Sequence, residues 1–245
     1  MKRKRLDLLL TERGLVASRE QARRLIMAGA VVANEQRVDK PGALVEATAA
    51  LRVKEEARPP YVSRGGQKLE AALRAFNLDV TGAVALDVGA STGGFTDCLL
   101  QHSATKVFAV DVGYGQLAWS LRQDPRVVNL ERRNIRTLDP AELPETPTLA
   151  VIDVSFISLS VVIPKVLELI APHGRLIALL KPQFEVGKGR VGKGAVVRDP
   201  ALHAEVVARL RAQAEAWQVA VKGEIESPLR GPKGNKEFLF HLQKR

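Results

Sequence analysis

A carboxylate, three glycines and several hydroxyl side chains crowd together in Asp87-Val-Gly-Ala-Ser-Thr-Gly-Gly-Phe-Thr96. The apolar run before them, residues 84–88, is too short for a helix and reads as a buried parallel strand. Gly89, Gly93 and Gly94 make a turn, and residues 95–101 have helical composition. A strand, a glycine turn and a helix form the first βα unit of a doubly wound sheet, whose ligands sit beyond the carboxyl ends of the strands. A dinucleotide fingerprint needs glycine two residues after the first, where backbone touches pyrophosphate. That position is Ser91. A carboxylate at Asp87 suits a cationic or hydroxylated ligand better than a phosphate. Asp111 closes the next apolar run, 24 residues on, about where a ribose-binding carboxylate belongs. S-adenosylmethionine, with an ammonium, a sulfonium, a ribose and no phosphate, fits this pattern. The plainer alternative is a glycine turn in some other α/β protein.

Three further charges stand at the ends of apolar runs. Asp153 ends Leu149-Ala-Val-Ile-Asp153, Lys181 ends Leu176-Ile-Ala-Leu-Leu-Lys181, and Glu237 precedes the run that starts at Phe238. Charges at strand ends are usually solvated. These three gain interest because they should converge on the edge that carries the glycine turn.

The elements that would bring them there alternate. Strands are expected at 83–88, 106–112, 126–130, 148–154, 175–180, 219–225 and 238–242, and helices near 95–101, 116–122, 160–170 and 201–217. The last helix has Asp199 as cap, Pro200 in its first turn, and an apolar face of Val206, Val207, Leu210, Ala214 and Trp217. No helix separates the final two strands, so they should pair antiparallel. Glu237 would then start its strand at the edge where Asp153 and Lys181 finish theirs. Seven strands, mostly parallel and with the last antiparallel, make the methyltransferase variant of the α/β Rossmann-like sheet. Ahead of this sheet, Ser63-Arg-Gly-Gly-Gln-Lys68 leads into a helix with apolar residues at 69, 72, 73 and 76.

The first sixty residues read as a separate, small α+β package. Residues 6–13 suit a short helix. Ser18 caps a second, with Gln21 completing a capping box, Ala22, Leu25 and Ile26 as its stripe and Gly29 as its end. Arg19, Arg23 and Arg24 should project from its other face. Short strands are expected at 30–33, 37–38 and 50–53. Glu55-Glu-Ala-Arg-Pro-Pro-Tyr61 reads as a linker. The expected division is 1–58, a linker at 59–62, and 63–245.

The 245-residue chain is 46% apolar with a formal charge of +10. Residues 1–60 hold 13 Lys and Arg against 8 Asp and Glu, so a quarter of the chain carries half of the excess. Such a balance suits a polyanionic partner. The lone Cys98 excludes an intrachain disulfide and reads as a small core residue, and four scattered histidines show no metal-ligand spacing. There is no run of eighteen apolar residues, and Asp7 and Glu12 interrupt any signal-like segment. The expectation is a reduced, cytoplasmic protein without metal or membrane partners.

The N-terminal residues Arg5-Leu-Asp, Leu15-Val-Ala-Ser-Arg-Glu-Gln-Ala-Arg23 and Ile26-Met-Ala-Gly-Ala-Val-Val-Ala-Asn34 resemble the small RNA-binding domain first seen in ribosomal small-subunit protein S-four. The resemblance implies RNA contacts through Arg5, Arg19 and Arg23, whereas the plain reading is a solvated helix face. In the second domain, Lys68, Asp153, Lys181 and Glu237 match the Lys-Asp-Lys-Glu tetrad of the heat-shock-type (FtsJ-like) RNA 2'-O-methyltransferases. The text is closer still to the haemolysin-A/TlyA-like rRNA methyltransferases, through Ser63–Leu73, Asp87–Asp97, Asp153-Val-Ser-Phe-Ile-Ser158, Lys181-Pro-Gln-Phe-Glu-Val-Gly-Lys188 and Gly231-Pro-Lys-Gly-Asn-Lys-Glu-Phe-Leu239. At Arg58-Pro-Pro-Tyr61 the chain departs from the arginine, small residue and tryptophan expected there.

The resemblance implies ribose methylation of cytidine in 16S rRNA, 23S rRNA or both. Lys68, Asp153, Lys181 and Glu237 would be catalytic. S-adenosylmethionine would be held by Asp87, Gly89, Ser91, Thr92, Gly93, Gly94, Phe95, Asp111, Val112, Asn134 and Asp153. Asn134 reads equally as a loop cap. Lys181 would orient the hydroxyl or take its proton, and the residues leave that choice open. Lys188 sits with Arg190, Lys193 and Arg198 in a glycine-rich loop, 184–198, that would be a phosphate-contacting lid or simply a solvated loop. Two competing readings are a binding-only RNA platform and a membrane-active haemolysin. The first is opposed by the complete tetrad, the second by the missing membrane and signal segments.

Overall fold

A computed structural model of the chain describes residues 3–16, 18–54, 59–187, 189–192 and 194–245. The chain forms two compact units, Met1–Pro60 and Tyr61–Arg245.

In the first unit, β1 (Arg3–Arg5) runs into α1 (Leu6–Glu12), and α2 (Arg19–Met27) is followed by β2 (Val31–Ala33), β3 (Gln36–Val38), β4 (Leu44–Glu46) and β5 (Leu51–Val53). The Ser18 hydroxyl accepts the Gln21 backbone N–H at 3.2 Å, which starts α2 where the sequence places its cap. Ala22, Leu25 and Ile26 are buried against Leu6, Leu10, Val31 and Val53. Strands β3-β2-β5 form one antiparallel sheet and β1-β4 another. The β1-β4 pair is not anticipated from the sequence. The strand character of Arg3–Arg5 lies in backbone pairing, with Arg5 opposite Leu44, and not in side-chain alternation.

The second unit holds a seven-stranded sheet. Its strands are β6 (Val84–Val88), β7 (Lys106–Asp111), β8 (Val127–Glu131), β9 (Leu149–Ile152), β10 (Arg175–Leu180), β11 (Val219–Glu226) and β12 (Phe238–Lys244), in the order β11-β12-β10-β9-β6-β7-β8. All neighbours are parallel except at β12, which runs antiparallel to both β10 and β11. Alternate residues of each strand enter two cores. Leu86, Val88, Phe108 and Ala178 face α6 (Leu159–Leu169) and α8 (Pro200–Ala216), while Ala85, Val107 and Ile177 face α3 (Gly65–Ala75) and α4 (Gly94–Gln101). Val206, Leu210 and Ala214 of α8 are buried, and Val207 and Trp217 pack partly buried beside them, so the expected face is the one used. The helix expected at 116–122 is shorter, α5 (Trp119–Arg122). After Lys181, Pro182 opens a single helical turn, α7 (Pro182–Glu185), where its fixed φ is preorganised. Cys98 is fully buried as expected, and burial pushes its thiol up to about 12.

The expected linker at 59–62 ends sooner than the composition suggests. Residues 55–58 lie outside the described part. Tyr61 is only 5% exposed and packs so tightly on α3 that a Cβ on Gly66 would lie 2.2 Å from its ring. The Val62 backbone N–H donates to Asp97 Oδ2 at 2.7 Å. Tyr61 falls in the segment expected to be linker, but its ring packs into the α3–α4 core. Tyr61→Ala should therefore destabilise the second unit by about 3 kcal/mol, the scale of a deleted core aromatic. Denaturant unfolding of the full chain would measure it.

Candidate functional site

The register of the sheet sets the site. Val88 of β6 pairs with Val110 of β7 and with Ile152 of β9, so these strands finish level. Phe238 of β12 pairs with Leu180 of β10. Glu237 therefore enters its strand beside the point where Lys181 leaves the neighbouring one. Lys68 arrives from the first turns of α3.

All four line one cavity of about 580 Å³, together with Gly89, Ser91, Thr92, Gly94 and Phe95. They form two ion pairs. Lys68 Nζ donates to Glu237 Oε2 at 2.5 Å, with Glu237 fully buried. Lys181 Nζ lies 2.6 Å from Asp153 Oδ1 and donates to the Ser155 hydroxyl at 3.1 Å. Asp153 Oδ1 is a charge partner without an aligned hydrogen bond, and Glu237 Oε1 is likewise buried without one. Two buried lysines facing two carboxylates across one cavity can hold, orient and move a proton at a small polar group.

The glycine turn takes its shape from close backbone approach. Gly89 has φ +85°, and a Cβ there would sit 2.6 Å from the Asp153 carbonyl oxygen, so only glycine lets the turn lie against the end of β9. Gly93 also has a positive φ, but a Cβ on it would strike Leu121 and Leu117, not the cavity. Packing against Leu117 and Leu121 already requires glycine there. Among the other expected ligand residues, Asp87, Asp111, Val112 and Asn134 are not in the cavity wall. Asp87 lies beneath it, fully buried, with Oδ2 accepting the Thr96 hydroxyl at 2.6 Å and Oδ1 lacking a partner. Asp111 Oδ2 accepts the Ser91 N–H at 2.8 Å and Oδ1 the Gly113 N–H at 2.6 Å. Each oxygen keeps a further lone pair. Val112 is exposed beside it, and Asn134 Oδ1 accepts the Arg136 N–H at 3.1 Å as a cap of a short 3-10 turn.

Sequence reasoning misses Ser155, Phe156, Gln183, Phe184 and Asn235, which also line the cavity. Each lies within three residues of a strand-end charge, and that proximity is the signal that could have found them. Phe156 has φ +65° and is 91% exposed at the rim, its ring centre 5.1 Å from that of Phe184. Asn235 is buried and ties down the glycine-rich loop. It donates to the Ala195 carbonyl at 2.9 Å and accepts the Val197 N–H at 3.0 Å. In that loop Arg190 is engaged by Glu205 through hydrogen bonds of 2.6 and 2.5 Å. Lys188 and Lys193 lie outside the described residues.

In the first unit, Arg19, Arg23, Arg24, Glu20 and Met27 line an open groove on α2. Arg5 and Arg19 both donate to Asp7, whose carboxyl is held down at about 2 chiefly by the Arg5 hydrogen bonds. Among the described residues, no group of three or more His, Cys, Asp or Glu could hold a metal, and no helix is long and apolar enough to cross a membrane.

Comparison with known proteins places these features. Residues 61–244 match the FtsJ-like methyltransferase family, and residues 4–50 match the S4 domain. The 16S/23S rRNA (cytidine-2'-O)-methyltransferase TlyA of Mycobacterium tuberculosis is 49% identical over 245 residues, spanning 99% of this chain and 90% of its own. Hemolysin A of Brachyspira hyodysenteriae is 38% identical, over 97% of this chain and 99% of its own. A solved structure from Streptococcus thermophilus, named for a hemolysin, matches with a TM-score of 0.76 at 46% identity, covering 100% of this chain and 89% of that one.

The buried Asp87 yields a pH test. Burial pushes its carboxyl up to about 7, with the Thr96 hydroxyl opposing and Asp153 adding to the rise. The folded state then holds a proton that the unfolded chain releases near 3.8. Between those values the folded state binds more protons, so this group's stability contribution falls as pH rises and levels off above about 7. Asp87→Asn has no such titration. The stability difference, wild type minus variant, should decline from about pH 4 to about pH 7 and stay flat beyond, as read by denaturant unfolding at each pH.

Proposed function

This chain belongs to the FtsJ-like methyltransferase family and carries an S4 domain, and we propose that it methylates the ribose 2'-hydroxyl of cytidine in 16S rRNA, 23S rRNA or both. The observation that carries the reading is the convergence of the two lysine–carboxylate pairs with the glycine turn on one cavity. S-adenosylmethionine is the methyl donor. A cavity of about 580 Å³ with a mixed polar and apolar wall suits a ligand of that size. Gly89, Ser91, Thr92, Gly94, Phe95 and Asp153 would hold it, and Asp111 has the lone pairs to take its ribose hydroxyls. When bound, it supplies an electrophilic methyl on a sulfonium.

The rest belongs to the protein. A ribose hydroxyl is a weak acid, and its proton must leave as the methyl arrives. Lys181 has three N–H donors as an ammonium. One is donated to Ser155 and the charge is held beside Asp153, which leaves donor capacity for the hydroxyl oxygen. Lys181 would in this way orient the hydroxyl oxygen, and orientation of that kind supplies much of the rate. The Lys181–Asp153 pair together offers the basic oxygen that receives the proton. Lys68, fastened by Glu237, places a second positive charge at the same cavity, where charge on the ribose oxygen develops. The S4 domain supplies RNA affinity through the basic face of α2, and the protein works in the cytoplasm, where its rRNA substrate is. The hemolysin name borne by some relatives has no membrane-crossing helix behind it among the described residues. A binding-only platform would not need both buried ion pairs, whose desolvation is costly.

Two measurements test this. In single-turnover methylation of ribosomal subunits with the modified ribose mapped, Lys181→Ala should lower the rate about a hundredfold or more. Its S-adenosylmethionine affinity, by calorimetry, should hardly change. Lys181→Arg should also fail, because a planar fork cannot replace one ammonium. A methyl mapped to a base, or near-normal rates in both variants, would overturn the ribose mechanism. For RNA binding, Arg23 and Arg24 are exposed. Replacing both by alanine should weaken rRNA binding and flatten its salt dependence by about two in the log–log slope, one for each phosphate that an arginine had neutralised. An unchanged slope would remove α2 from the RNA interface.

A further inference from the structure

Asp7 is a carboxylate with no part in the methyl-transfer site, yet it is fully buried. Its four hydrogen bonds account for both oxygens. Oδ1 accepts from Arg5 Nε and from the Leu8 backbone N–H, each at 3.0 Å. Oδ2 accepts from Arg5 Nη2 at 3.0 Å and from Arg19 Nε at 2.9 Å. The two arginines come from different elements, Arg5 from the end of β1 and Arg19 from the start of α2. About half of each arginine side chain is exposed, 45% and 51%.

The geometry of the forks matters. Arg5 presents one edge of its guanidinium, Nε and Nη2, to Asp7, and the opposite edge remains for another acceptor. Arg19 gives Asp7 only its Nε, so both of its Nη groups remain. One buried anion thus holds two cations side by side, and the trio keeps a net positive charge on the surface that bears the α2 groove. Planar forks with a free edge are matched to phosphate oxygens.

We propose that Asp7 is a positioning residue for RNA binding, which locks Arg5 and Arg19 into one prearranged clamp for a phosphate of the RNA backbone. The proposal rests on the reading that the S4 domain binds rRNA. Long side chains lose rotamer freedom when they engage a ligand, and here that loss is taken on folding, so less of it falls on binding. A clamp of this kind also explains why the acid is inside. An exposed Asp would repel the phosphate, whereas a buried one acts through its arginines.

The test separates fork geometry from charge. Arg5→Lys with Arg19→Lys keeps two cations to neutralise Asp7 and removes the forks. Asp7→Asn keeps the size and raises the net charge by one, which by itself favours RNA. Both full-length variants should raise the KM for ribosomal subunits about tenfold, with the loss falling on KM and not on kcat. S-adenosylmethionine affinity by calorimetry should stay at the wild-type value. The salt slope of the lysine variant should match wild type, since its charges are kept. A wild-type KM in the lysine variant overturns the clamp, whatever Asp7→Asn does. If Asp7→Asn loses the thermal transition of the first unit, the lysine variant decides alone. If it folds and binds as well as wild type or better, the clamp is also overturned. Should Arg23→Ala with Arg24→Ala leave rRNA binding untouched as well, the fault lies with the RNA-binding reading of the domain itself.

Discussion

Burying a lysine is tolerable only beside a carboxylate, and the second unit is arranged so that this happens twice at one edge. Lys68 and Lys181 are each about nine-tenths buried, and each faces an acid. An unpaired charge there would cost several kcal/mol. The partner of Lys181 comes from the end of the adjacent parallel strand, β9. The partner of Lys68 depends on the reversal of β12, because only an antiparallel strand brings its first residue to the edge where the parallel strands end. The direction of one strand is thus the condition for the tetrad, and α3 must lie along the same edge to deliver Lys68.

The glycine turn answers to the same edge. Gly89 lets the turn lie against the backbone of Asp153, so one wall of the cavity and the Lys181 partner are built on one contact. The acidic residues near the turn act from behind it. Asp87 anchors Thr96 from below, and Asp111 gathers the N–H groups of Ser91 and Gly113. Both stabilise the loop whose upper surface lines the cavity. Asn235 performs the equivalent task on the far side, holding Ala195 and Val197 beside the cavity.

The first unit solves a different problem with similar means. A basic surface repels itself, and long arginine side chains have much rotamer freedom to lose. Asp7 offsets part of that repulsion from inside the fold and orders Arg5 and Arg19 at once. In both units, then, an acid held in the fold governs where a cation points: into the cavity in one, toward solvent in the other.

Much of this is legible in the sequence. The strands of the large sheet follow from short apolar runs, and the antiparallel end follows from a final connection without a helix. Asp153, Lys181 and Glu237 fall at strand ends for the same reason, and Ser18 and Asp199 are recognisable as caps because capping is local. Other features are not legible. Tyr61 reads as linker, and the burial of Asp7 and the packing around Asp87 and Gly93 do not show in the sequence. Each surrounding is set by a residue on another element: Gly66, Arg19, Thr96 and Leu121 respectively. Backbone periodicity and capping are properties of neighbours along the chain, so the sequence alone determines where elements begin, end and which way they face. Which charges become buried partners, and which glycine a ligand or a leucine requires, depends on how closely separate elements approach, and only the tertiary structure decides that.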